Sequence, residues 1–181
     1  MAIKKLAKKG YGQVELNQVA FRRDGRIEAQ AALDREAFET NFPDGVENGM
    51  PVLIDPIARL LKPATNTDKL IGLVYSAEKV YSGAPNLSKF VNAYEGFLPR
   101  VGYLAVGDKF TTNSIVYDDA TYADEAALIK AIEAGVLYVE PSEQGWNVVA
   151  EEPAGPVYGR ITKPFTMPDG QFAVQIIIEQ A

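Results

Sequence analysis

The stretch that most constrains this chain runs from Val46 to Tyr75, VENGMPVLIDPIARLLKPATNTDKLIGLVY. Glu47-Asn48-Gly49 predicts a turn, and Met50 to Ile54 a short apolar strand that Asp55-Pro56 breaks. Ile57 to Leu61 follows, then a polar loop from Pro63 to Asp68, then the apolar run Leu70 to Tyr75. Short apolar runs bounded by Gly, Pro, Asn and Asp are the pattern of buried strands in a β-rich unit. No catalytic motif interrupts them.

The flanking chain extends the pattern. Residues 11–33 read as a hairpin around Asp24-Gly25, a pair suited to the left-handed backbone of a type I′ turn. Asp34 to Phe42 reads as about two helical turns or a loop; as a helix it would take Asp34 as N-cap, with Ala37 and Phe38 inward and Pro43 closing the segment. Phe97 to Val106 and Lys109 to Tyr117 read as two strands joined at Gly107-Asp108. Val136 to Val139 and Trp146 to Ala150 make a further hairpin. Val157 to Ile161 and Gln171 to Glu179 make the last pair, with Phe172, Val174, Ile176 and Ile178 on one face.

Tyr122 to Ala134 is the one clear helix, with Thr121 and Asp124 resembling a capping box, Leu128, Ile129 and Ile132 as its apolar stripe, and Gly135 just past its end. The expected fold is mainly β (α+β): a small barrel or sandwich-like core, an N-terminal hairpin and arm, and one amphipathic helix near 122–134. The division that follows is a basic arm and hairpin over residues 1–45 and a β-rich core over 46–181.

Composition narrows the chemistry. The chain has neither cysteine nor histidine, which removes disulfides, thiolate nucleophiles, Cys/His zinc sites and imidazole acid–base catalysis. No Gly-x-Ser-x-Gly, phosphate-loop or dinucleotide fingerprint occurs. Asp118, Asp119 and Asp124 lack calcium-loop spacing and suit the helix start instead. Glu140, Glu143, Glu151 and Glu152 around Trp146 resemble the carboxylates and aromatic platform of a sugar site, an alternative to surface Glu around a core Trp. The expectation is a protein without catalysis, cofactor or metal.

Charge is the remaining signal. The net charge is −6, yet Lys4, Lys5, Lys8 and Lys9 stand in the first ten residues with no acid, leaving 14 basic against 24 acidic residues, or −10, elsewhere. A cationic arm on an anionic body predicts either contact with something acidic, such as a neighbouring copy, or a frayed, solvated terminus. Such a body disfavours direct nucleic-acid binding. No apolar run reaches the roughly 20 residues of a membrane helix, and no secretory signal opens the chain, so synthesis in a cytoplasm is expected. The candidate interaction residues are Lys4, Lys5, Lys8, Lys9, Arg22, Arg23 and Arg26, with the aromatics Tyr11 and Phe21.

Gly10-Tyr11-Gly12-Gln13-Val14-Glu15-Leu16-Asn17 and Arg23-Asp24-Gly25-Arg26-Ile27 resemble the start of virion structural proteins of tailed bacteriophages. Glu47-Asn48-Gly49-Met50-Pro51-Val52, then Lys62-Pro63-Ala64 and Ile71-Gly72-Leu73-Val74, resemble the β core of head decoration, or cement, proteins. The resemblance covers about the first two-fifths of the chain and does not extend to the 122–134 helix. It implies no catalysis, a place on the exterior of a phage head made in a bacterial cytoplasm, the major capsid protein as partner, and a homo-oligomer, with a trimer favoured. The lysine arm would then be a clasp, mobile until it binds. Other phage assembly roles, as a capsid, head-fibre or tail-tube subunit, share the same β-rich edges.

Overall fold

The run Ile71-Gly72-Leu73-Val74 is buried along its whole length, and the reason sets the architecture. Ile71 and Leu73 face one apolar cluster, shared with Phe110, Trp146, Val174 and Ile176. Val74 faces another, shared with Phe38, Phe42, Met50, Val52 and Leu61. A strand alternates sides, so one run can serve two cores only when apolar layers cover both faces.

The structure is a computed structural model that describes residues 2–15, 18–20, 27–28, 31–76 and 89–181, with 27–28 as backbone only. Its strands, in chain order, are β1 (Ile3–Lys5), β2 (Ile27–Glu28), β3 (Ala32–Leu33), β4 (Pro51–Asp55), β5 (Leu60–Pro63), β6 (Ile71–Val74) and β7 (Val101–Tyr103). Then come β8 (Lys109–Thr112), β9 (Ile115–Asp118), β10 (Tyr138–Ser142), β11 (Gly145–Val149), β12 (Tyr158–Thr166) and β13 (Phe172–Gln180). The helices are α1 (Arg35–Phe38) and α2 (Glu125–Ala134). The larger sheet runs β1-β9-β11-β10-β12-β13-β8, and the smaller β2-β7-β6-β4-β5-β3. The fold is mainly β, two packed sheets that do not close into a barrel.

The two sheets are joined through the turn that precedes β4. Gly49 has φ +86°, and a Cβ there would stand 2.1 Å from Thr112 Oγ1. Only glycine fits. Its carbonyl accepts a 3.0 Å bond from the buried Trp146 indole, whose ring packs 5.6 Å from that of Phe110.

Several expectations shift in detail. The predicted 97–117 hairpin is a change of sheet, because β7 belongs to the smaller sheet and β8 to the larger. The Asp24-Gly25 turn lies outside the described residues, but its flanks part company. Val14 and Ala20 bridge to Thr112 and Lys109 of the larger sheet, while β2 and β3 join the smaller. Helix α1 is shorter than predicted, with Asp34 as N-cap and Phe38 buried, but Ala37 faces solvent. Helix α2 starts three residues late. The Asp118 carboxylate accepts from Ala120 N and Thr121 Oγ1 and its carbonyl from Tyr122 N. That turn consumes 118–122 and leaves Asp124 to cap the helix.

Candidate interaction surfaces

The lysine-rich start is folded against the body. β1 lies on the outer edge of the larger sheet, antiparallel to β9 in the register Ile3↔Asp118, Lys4↔Tyr117, Lys5↔Val116. The ladder continues with Asp119 N donating to Ala2 O and Leu6 N to Ile115 O. Leu6 is the buried apolar anchor, 1% exposed.

The lysine heads then find partners on the body. Lys4 Nζ donates to Ala123 O. Lys5 Nζ lies 3.2 Å from Glu47 Oε1 and 4.3 Å from the centre of the Phe42 ring, a cation–π distance. Lys8 Nζ pairs with Glu125, and that hydrogen bond holds the ammonium pKa above its ordinary value.

Gln171, itself buried, clamps the backbone that follows. Its Oε1 accepts from Lys8 N at 3.0 Å and Lys9 N at 2.9 Å, while its Nε2 donates to Lys9 O at 3.2 Å. Tyr11 donates its hydroxyl to Asp44 at 3.0 Å. Its phenol pKa is raised, first by burial and then by that bond. The structure thus brings Lys4, Lys5, Lys8, Lys9 and Tyr11 into one seat, and the expected free arm is an edge strand in place. Phe21, Arg22, Arg23 and Arg26 lie outside the described residues.

A second surface carries no lysine cluster in sequence. The turn from β4 to β5 displays Ile57, 94% exposed. The Asp55 carboxylate accepts from Ile57 N and Ala58 N, two bonds that hold its pKa below the ordinary value. Arg59 closes the turn at φ 56°, a left-handed conformation unusual for arginine.

The register places two further apolar side chains at this end of the smaller sheet. Leu53 pairs with Ile71 and Gly72 with Tyr103. Leu70 (71% exposed) and the turn holding Val106 (60%) therefore lie beyond β6 and β7, at the same end of the sheet as the turn that carries Ile57. The cations here, Arg59, Lys69 and Lys109, are exposed and enter no ion pair among the described residues. Of the acids, Asp55 caps its turn, Asp68 binds Thr65 and Asp108 is buried. The sequence pattern places these residues in strands and loops, with Ile57 at the start of the run after Asp55-Pro56, and gives no signal of a surface.

The sugar-site constellation does not form around an exposed platform. Trp146 is 0% exposed in the core. Among the described residues no three Asp or Glu side chains gather as a metal would require.

The chain matches no family model, no curated protein and no solved structure.

Proposed function

We propose that this protein is a non-enzymatic structural protein of a tailed-phage virion that decorates the head exterior and stabilises it by bridging neighbouring capsid subunits. The observation that carries the reading is the end of the smaller sheet. There Ile57, Leu70 and Val106 stand exposed in turns that also carry Arg59 and Lys69. Exposed apolar side chains at the tip of a rigid two-sheet scaffold suit a protein partner. The resemblance of Glu47–Val52 and Ile71–Val74 to decoration proteins supplies that partner, the major capsid protein. The same scaffold serves the alternative of another assembly subunit, while a sugar-binding site loses its platform with Trp146 buried.

The test is co-sedimentation with expanded empty heads from the phage whose genome carries this sequence, with the oligomer size read by light scattering. The protein binds heads, and a combined Ile57→Asp, Leu70→Asp, Val106→Asp variant stays folded but loses binding. Unchanged binding by that variant removes the surface from the proposal. A parent protein that never binds heads sinks the decoration reading, and one that polymerises alone favours the tail-tube or capsid alternative.

A further inference from the structure

The seat of the first strand has a property that its position in the sheet alone does not require. The groups that hold residues 2–9 are remote in sequence: Glu47, β9, Ala123, Glu125 and Gln171. The nearest of these, Glu47, is 42 residues from its Lys5 partner. The seat is therefore complete on every copy of the chain, and a strand from a neighbour meets the same carboxylates, the same amide clamp and the same ladder.

The strand also has a natural point of departure. Gly10 has φ 72°, a region glycine enters and leaves without steric cost. Gly12 follows on the other side of Tyr11. Beyond them the chain is fixed again by Gln13 N, which donates to Asn113 Oδ1 at 2.7 Å. β1 borders a single strand, so its departure breaks only the β1–β9 ladder and leaves the other pairings of the sheet intact. Leu6 is the one side chain in residues 2–9 that is fully buried.

We infer that residues 2–9 form an exchangeable strand, which fills the β9 edge of a second copy of this chain when copies are held close together. Exchange of identical elements preserves the contacts and changes only the hinge, the low-cost route to a linked assembly. Neighbours fixed on a common surface face one another at effective concentrations on the order of millimolar, where a strand samples both seats. The inference rests on the assembly reading above.

The chain has no cysteine, so introduced thiols report without background. Ile3 and Asp118 face each other at a position between the bonded pairs Ala2/Asp119 and Lys4/Tyr117. Such pairs bring Cα atoms to about 4.5 Å, within disulfide range. An Ile3→Cys, Asp118→Cys double variant should close within the monomer at micromolar concentration, and failure to do so overturns the register itself.

The decisive measurement mixes the two single variants at millimolar concentration under oxidation, with Ile3→Cys plus Glu133→Cys as the collision control. A 3–118 covalent dimer well above the control, rising with concentration, is the expected result. A yield equal to the control overturns strand exchange. Head binding is read separately with the unmodified protein. Binding without exchange removes only this inference, and exchange without binding removes only the decoration reading.

Discussion

The first strand and the end of the smaller sheet invite comparison because the sequence ranks them one way and the structure the other. Four clustered lysines advertise the first, yet three of their heads are engaged by Ala123, Glu47 and Glu125 and the backbone by Gln171. The second shows nothing in sequence beyond ordinary turn residues, yet it holds Ile57, Leu70 and Val106 out to solvent. Charge density in a sequence measures how much a segment seeks opposite charge. It does not say whether the body has already supplied it.

The sharpest break in the comparison is a pair of leucines. Leu6→Ala removes the buried anchor and should cost about 2–5 kcal/mol in urea unfolding, whereas Leu70→Ala should stay within about 0.5 kcal/mol. Equal costs would mean that the first strand is not seated. Gln171→Ala comes next. It strands two backbone donors at Lys8 and Lys9 beside a buried site, at about 1–3 kcal/mol, and should speed amide exchange over residues 2–9 before any other segment.

Lys8→Ala should fall below these, at about 0–1 kcal/mol and fading with added salt, because the lysine is largely exposed. The smallest effect concerns Tyr11. Its raised phenol pKa means that folding favours the protonated form. That contribution is complete below the ordinary value of about 10 and is lost as pH rises through the higher folded value. The stability difference between the parent and Tyr11→Phe should therefore shrink only in the alkaline range, in denaturation curves recorded from pH 8 upward. A difference that shrinks near neutrality instead would refute the Tyr11–Asp44 contact.

Much of the β architecture is legible because it is local. β10 and β11 form the predicted hairpin with their ends shifted by one to three residues, and in β13 the Val174, Ile176 and Ile178 face is buried as its alternation implies. The misses are places where distant chemistry decides. Ile57 looks like strand core, but the Asp55 carboxylate takes its amide and turns it outward. The change of sheet between Tyr103 and Lys109 is invisible to periodicity, since both flanks alternate as strands do and only their partners differ. Ile3 to Lys5 lacks any strand signature, because its pairing rests on β9, more than a hundred residues along.

The position of β13 bears on how the molecule is made. It lies between β12 and β8 and bonds to both, so the larger sheet stays open between these strands until the chain through Gln180 has emerged from the ribosome. β1, made first, waits for β9. Assembly that depends on such distant pairings is slow relative to helical proteins of similar size, and its half-built form displays unpaired strand edges of the kind that draw chains together wrongly. Synthesis rate and temperature during expression should therefore govern the yield of native protein more strongly than its final stability does.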